Sequence, residues 1–419
     1  MMPAAIRANP HGWLVVAICF VSLMLVYGVR SSLGLMMPFW EDDPGWTRDL
    51  SSDAGALVLL LMAVSSPIAG NLIDRYGPRA VCAGGLVCLG VGVFAVTGGT
   101  AGWHLILTYG VLVGIGAGAI AMPMVSAAVA THFETNRGFA SGIGFSGATG
   151  GQFIAMLTMG ALVTWVGWRA TYITVAVAIF FSAAAVWFLL RNDKPPTSGP
   201  RTNGLRGTER VDAENASLGH RLKFLGCSPT FWLLFFGFII CGFSTAGVIE
   251  VHLLPYAEIC GFATIEGATA YGIHGVFNMM GVILFGFLAD RMHRPRLLAG
   301  IYFARVLLFL VLLNVAGNLP LLFFFAAAYG VTSFASLPVI VSIVASRFGV
   351  GIMGLAMGLI FAGHWLGGAI GAYLGGEFYR LFANYDWMWI IALFAVLLAG
   401  FLSLCIPEER NREMVPQPA

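Results

Sequence analysis

Charged side chains are scarce in this sequence of 419 residues. Aspartate, glutamate, lysine and arginine make up 10% of it, against about 25% in an ordinary soluble domain. Hydrophobic residues make up 58%, and the mean hydropathy is +0.86. So few charges cannot cover the surfaces of the soluble domains that a chain of this length would otherwise form. The composition therefore excludes a cytosolic enzyme, a secreted enzyme and a nucleic-acid binder, and it predicts a lipid bilayer as the surrounding medium.

Motifs for nucleotide, metal or covalent chemistry are also missing. The sequence has no Gly-x4-Gly-Lys-Ser/Thr loop, which argues against a pump driven directly by ATP. Its seven cysteines have no metal-ligand spacing and lie mostly in apolar runs, so we interpret them as small core residues. The net charge of +2 carries no information about anionic partners. We expect no cofactor, no metal and no enzymatic activity.

Twelve apolar runs are each long enough to span a bilayer, which takes about 20 residues. They predict an all-α membrane protein with twelve transmembrane helices. We expect an N-terminal six-helix half at 1–190, a polar cytoplasmic linker at 191–229 with a short amphipathic segment near 218–225, and a C-terminal six-helix half with a short tail at 230–419. The runs cover 12–39, 54–73, 79–98, 103–131, 138–165, 168–190, 230–257, 267–289, 296–316, 319–346, 350–379 and 386–406.

Arginine and lysine lie almost entirely on one side of these runs. With the N-terminus inside, 17 of the 22 fall in inside segments and 3 in outside segments. The remaining two, Arg30 and Arg305, lie within runs. Positive charge is retained on the cytoplasmic side of membrane proteins. We therefore expect a multi-pass protein of the inner (plasma) membrane with both termini in the cytoplasm.

The two halves of the sequence repeat each other. Gly70 and Asp74 follow the second run, and Gly286 and Asp290 follow the eighth, each 216 positions later. The glycines of the fifth run recur in the eleventh run with the same offset, as in Gly142 and Gly358. Two halves of the same orientation are typical of transporters with a parallel repeat and a central binding site.

The loop after the second run carries a family resemblance. Its motif residues are Gly70, Asp74, Arg75, Gly77 and Arg79. They resemble the loop motif of the major facilitator superfamily. The second half keeps Asp290 and Arg291, but His293 replaces the second glycine. The resemblance covers about 12–406 and implies a fold of two six-helix halves that these residues latch together on the cytoplasmic side. The alternative is a basic loop that only sets topology.

Softer matches resemble one branch of that superfamily, the monocarboxylate porters and oxalate/formate antiporters. They are Gly12-Trp13, His132-Phe133, Asn136-Arg137-Gly138, Ser146-Gly147 and the Leu359–His364 segment. The sequence departs from the branch at Asn278 and Val282, where the lactate porters have an Asp and Arg pair, and at His364, near a lysine of the oxalate porters. Substrate and coupling ion therefore stay open.

Arg30 lies inside the first run, about 15 Å from its outer end by helical rise. Tyr27, Arg30 and Gly34 follow helical spacing and share one face. The planar guanidinium can bond both oxygens of a carboxylate. We interpret Arg30 as the group that binds an anionic substrate, with Tyr27 beside it. The alternative is a structural ion pair, for example with Glu250.

Glu250 and His364 are the two candidates for carrying a proton. Burial favours the neutral form of a carboxyl group, and histidine changes charge near neutral pH. The alternatives are an ion pair of Glu250 with Arg305 or Arg30, and a packing role for His364. His252 lies about 200° around the helix from Glu250, so the two side chains should not share a cavity. We expect His252 and Arg305 to be structural.

Further substrate-binding candidates are His364, Asn278 on the face of His274, and Gln152. Together the residues predict a secondary transporter of a small organic anion, a monocarboxylate by preference, coupled to protons and working as a monomer. It should alternate access around a site at the middle of the membrane. The alternatives are an exporter of drugs or of a secreted metabolite, and a non-transporting sensor on the same scaffold.

Overall fold

A computed structural model describes residues 9–41, 46–120, 122–133, 136–190 and 217–407. Within these ranges, eleven continuous helices are long and apolar enough to cross a membrane. One of them, Arg137–Leu189, has 53 residues and holds the fifth and sixth predicted spans. It leaves helical geometry at Gly167, with φ 79° and ψ 165°, between those two spans. Gly167 can adopt this positive φ because it has no Cβ.

We number the twelve spanning segments α1 to α12. Those of the first half are α1 Pro10–Glu41, α2 Arg48–Tyr76, α3 Pro78–Val96, α4 Gly102–Val129, α5 (137–166) and α6 (168–189). Those of the second half are α7 Pro229–Ile259, α8 Thr264–Ala289, α9 Arg294–Leu312, α10 Leu319–Phe348, α11 Val350–Phe382 and α12 Asp386–Leu404.

The predicted amphipathic segment before α7 is confirmed as a helix, Leu218–Gly226, which we call the linker helix. The rest of the predicted linker up to residue 216, and both ends of the chain (1–8 and 408–419), lie outside the described residues.

Glycines let two pairs of helices meet across the halves. In the α2–α11 pair, Gly70 and Gly354 approach so closely that a Cβ on either would collide with the backbone of the other. In the α5–α8 pair, Gly138 and Gly286 meet in the same way. The repeat offset of 216 relates the two pairs, because Gly70 corresponds to Gly286 and Gly138 corresponds to Gly354. Small residues therefore close both crossings, since they allow helix backbones to touch.

Turns of π-helix interrupt three spans. They are Ile106–Val113 in α4, Gly151–Ala155 in α5 and Phe243–Ile249 in α7. Such turns are rare in proteins, and those that occur are often found at functional sites. The last one ends directly before Glu250, and Gln152 lies within the second. Two candidate residues are thus positioned by local departures from α-helical geometry.

Candidate functional site

Arg30 and Glu250 form an ion pair between α1 of the first half and α7 of the second half. Nη2 of Arg30 donates to Oε2 of Glu250 over 3.3 Å. The two side chains are 16% and 8% exposed, so water reaches the pair only in part. Oε1 of Glu250 is buried and has no hydrogen-bond partner within the described ranges. The pair is the structural alternative that the sequence left open for Arg30, and it also brings both candidate residues to one site.

Two aromatic rings lie close to the guanidinium of Arg30. Its central carbon lies 5.2 Å from the ring centroid of Tyr27 and 5.1 Å from that of Trp365 on α11. The two ring centroids are 6.5 Å apart. The rings thus lie on adjacent sides of the guanidinium, and the π face of each attracts the cation. Arg30, Glu250, Tyr27 and Trp365 therefore form one cluster, which we call the midplane site.

The sequence interpretation missed Trp365, although it singled out the residue directly before it. His364 is buried, and its ring stacks on Phe238 of α7 at a centroid distance of 4.5 Å. Consecutive residues of a helix point about 100° apart. The helix that presents Trp365 to Arg30 thus turns His364 toward the packing between α7 and α11. The large ring of Trp365 is the sequence feature that could have identified it as a site residue.

Three further polar residues stabilise a break in α10 at Phe334 and Ala335. Asn278 accepts the Phe334 N–H at 3.1 Å, and His274 Nε2 lies 3.2 Å from the Ser333 hydroxyl. Arg305 is fully buried and donates to the carbonyls of Thr332 and Ser333, each at 2.5 Å. A broken helix within the membrane needs such partners for its freed backbone groups. The structure therefore places Asn278 and His274 with Arg305 in a supporting network.

Gln152 and His252 lie apart from one another on different halves. Gln152 is half-buried on the π-helical turn of α5, whose Gly151 packs against the backbone of Met24 and Gly28 of α1. His252 is buried, and its Nε2 lies 3.1 Å from the Ala372 carbonyl. His252 thus bonds a backbone carbonyl of α11, whereas Glu250 pairs with Arg30.

The motif loop of the first half reaches into the second half. Asp74 accepts the backbone N–H groups of Gly354 and Leu355, at 2.7 and 2.9 Å. These donors begin the α-helical part of α11, where the helix dipole also favours a carboxylate. Gly77 has φ 84°, which lets the chain turn from α2 into α3. Asp74 is thus bonded to a helix N-terminus of the other half, and an arginine also binds it.

That arginine is Arg221 of the linker helix, which the sequence interpretation did not single out. It donates to Asp74 Oδ2 at 2.5 Å and to Asn71 Oδ1 at 2.7 Å. The motif arginines lie elsewhere. Arg79 packs on the Trp187 ring at 4.6 Å, and Arg75 is exposed.

The repeat-related loop makes the corresponding contact with α5. Asp290 accepts the N–H groups of Gly138 and Phe139, at 2.7 and 2.9 Å. Burial raises the pKa of Asp290, and these two bonds oppose the shift. Arg291 packs on the Phe287 ring at 3.4 Å. His293 has φ −66°, an ordinary backbone conformation, so this loop does not need the glycine that Gly77 supplies. We call the end of the bundle with Asp74 and Asp290 the gate end.

Comparisons with known proteins agree with this architecture. The family model of the Major Facilitator Superfamily matches residues 19–316 and 284–419. The uncharacterized MFS-type transporter YcxA of Bacillus subtilis is 25% identical, covering 95% of this chain and 96% of its own. Monocarboxylate transporter 13 of Bos taurus is 26% identical over 99% of this chain and 96% of its own. The crystal structure of the human organic anion transporter MFSD10 superposes with a TM-score of 0.71 at 17% identity, covering 94% and 99%, and shows the shared fold.

Proposed function

Because this chain belongs to the major facilitator superfamily, and is thus a multi-pass membrane transporter rather than an enzyme, we propose that it carries a small monocarboxylate together with a proton. The Arg30–Glu250 ion pair is the observation that carries the proposal. We place the protein in the plasma membrane as a monomer, with both termini in the cytoplasm and the gate end on the same side.

Charge balance at the midplane site supports an anionic substrate. A guanidinium away from bulk water needs a counter-ion, because an unpaired charge there is costly. Glu250 is that counter-ion in the present state. A substrate carboxylate can replace it and use the guanidinium fork with both oxygens. A cation at the site disfavours the alternative of an exporter for neutral apolar compounds.

The same balance couples the substrate to a proton. If a carboxylate bound while Glu250 stayed ionised, two anions would share one cation. Like charges so close together raise the proton affinity of one of them. Glu250 therefore takes up a proton when the substrate binds and loses it when the substrate leaves. The net charge of the site stays constant through the cycle, which makes the transport electroneutral, with one proton for each monocarboxylate.

The rings of Tyr27 and Trp365 support a small substrate with a short carbon chain. Both rings lie beside the guanidinium, so the carbon chain of a bound carboxylate would extend along their apolar surfaces. The 26% identity to monocarboxylate transporter 13 supports the same substrate class. His364, Asn278 and Gln152 have supporting roles in this proposal, because His364 stacks on Phe238 and Asn278 accepts the Phe334 N–H.

Uptake into proteoliposomes tests the proposal. Purified protein is reconstituted, and uptake of radiolabelled lactate, pyruvate and acetate is compared with that of lactamide, which has the shape of lactate without its charge. An inward proton gradient should drive accumulation of the acids and leave lactamide unaffected. The Arg30→Gln variant is the matched control. Equal uptake of lactate and lactamide by the parent protein would refute the proposed substrate class.

A further inference from the structure

The linker helix is docked on the second half of the transporter. The ring of Phe224 meets that of Phe348, at the end of α10, with a centroid distance of 6.3 Å. Leu225 is buried, and the indole of Trp232 on α7 donates to the Gly226 carbonyl at 2.8 Å. These contacts hold the C-terminal end of the short helix against the second half, so it should move with that half.

Arg221 reaches from this docked helix into the first half. It donates to Asn71 and Asp74 of α2, and to the Gly351 carbonyl at the start of α11 over 3.2 Å. The Arg221 and Asp74 side chains are 1% and 2% exposed. One side chain thus bonds both halves at their point of contact.

The charge of Asp74 explains what the arginine does there. The N–H groups of α11 offer only about half an elementary charge to the carboxylate, whereas Arg221 neutralises it fully. Asp290 has no hydrogen bond from the linker helix within the described residues. The linker helix therefore makes the two repeat-related latches unequal.

We propose that Arg221 is a positioning residue of the transport cycle, which locks the gate end through Asp74 and must release it before that end opens. The inference rests on the proposed alternation of the two halves. If the halves part at the gate end, the linker helix travels with the second half, so its bonds to Asn71 and Asp74 break. Arg221 therefore sets how much of the protein is open at the gate end.

Cysteine accessibility tests the proposal away from the linker helix. Ala289 is buried on α8 and packs against α5 at Gly138, so a thiol there reports opening of the other helix pair. The Ala289→Cys reporter is placed in a background without the exposed Cys227 and Cys405. It is labelled with an impermeant maleimide in inside-out vesicles, and the background without the reporter is subtracted.

Arg221→Gln should speed labelling of the reporter severalfold, and Arg221→Lys should have a smaller effect. Lys223→Gln, an exposed cation on the same helix, is the matched control and should label like the parent. In the double variant Arg221→Gln with Asp74→Asn, the increase in labelling should be smaller than the product of the two single effects, because the residues share one bond. Equal labelling of Arg221→Gln and Lys223→Gln would overturn the proposal.

Reversible cross-linking keeps the proposal testable if Arg221→Gln folds poorly. A short bifunctional thiosulfonate joining Asn71→Cys to Arg221→Cys should stop lactate uptake, and reduction should restore it. Joining Phe224→Cys to Phe348→Cys, both on the second half, should leave uptake intact. Full uptake with the first cross-link in place would also overturn the proposal. The labelling experiment needs no substrate, so it tests the role of Arg221 even if the protein does not carry lactate. If labelling responds to Arg221→Gln and lactate uptake is missing, only the proposed substrate is contradicted.

Discussion

Nη2 of Arg30 and Oε2 of Glu250, 3.3 Å apart, join the two halves of the transporter inside the membrane. Each half supplies one member of the pair, so a change in either charge alters both the binding site and the contact between the halves. A proton on Glu250 removes the attraction and frees the guanidinium at the same time. Substrate binding and proton binding would then be one event, and the predictions below separate their parts.

Removing the cation should weaken binding of the substrate. A hydrogen bond to a charged group contributes about 1.5–3 kcal/mol, which corresponds to roughly tenfold to a hundredfold in affinity. We therefore expect Arg30→Ala to lose lactate uptake at micromolar substrate. Arg30→Lys should retain little, since it keeps the charge but loses the fork. Normal uptake by Arg30→Ala, at equal protein level in the membrane, would contradict the role of Arg30. Loss of the protein from the membrane would instead favour a structural role.

Neutralising Glu250 should uncouple the proton from the substrate. Parent uptake should rise as the external pH falls, because the protonated carboxyl leaves Arg30 to the substrate. Glu250→Gln imitates that protonated form permanently. It should therefore exchange labelled for unlabelled lactate as the parent does, and fail to accumulate lactate along a proton gradient. Gradient-driven accumulation by Glu250→Gln would remove Glu250 from the mechanism and leave His364 as the next candidate.

Neighbouring residues on α11 should give different phenotypes. A cation–π contact contributes about 0.5–2 kcal/mol, so Trp365→Leu should raise the KM for lactate about twofold to thirtyfold. His364→Leu should leave KM near that of the parent and lower Tm, because its ring stacks on Phe238. Uptake kinetics and thermal unfolding of the purified variants provide the comparison. A raised KM in His364→Leu with an unchanged Tm would assign His364 to the site.

The carboxylates of Asp74 and Asp290 should contribute unequally to closure of the gate end. Asp74 accepts two N–H groups and an arginine, whereas Asp290 accepts two N–H groups from α5. Asp74→Asn should therefore slow transport more than Asp290→Asn. Maleimide labelling of a single cysteine in the gate-end half of α4 should also rise more in Asp74→Asn. If the variants label equally, the gate is held by the glycine crossings and Asp74 contributes only to topology.

Hydropathy and the repeat were enough to predict the scaffold. The apolar runs located all twelve spans and the break at Gly167, because burial of backbone groups in lipid forces helices. The offset of 216 relates the loop of Asp74 to the loop of Asp290 from the sequence alone. Arg30 and Glu250 could be predicted as possible partners, since so few charges lie within the spans.

Contacts between segments that are far apart in the chain could not be predicted from the sequence. Arg221 binds Asp74 across 147 positions, and a polar linker gives no sign of which of its basic residues is buried. The sequence predicts Asn278 and His274 to be cavity residues, because polar groups in spans suggest function. In the structure both also bond residues at the break in α10, and hydropathy does not reveal such contacts between helices.

The proton count per substrate tests the central claim most directly. Proteoliposomes with a clamped membrane potential and a trapped pH-sensitive dye report proton entry, while radiolabelled lactate is counted in the same vesicles. The account predicts one proton for each lactate at every potential, and neither flux in Arg30→Ala. Lactate entry without proton entry, or a lactate flux that follows the membrane potential, would contradict it.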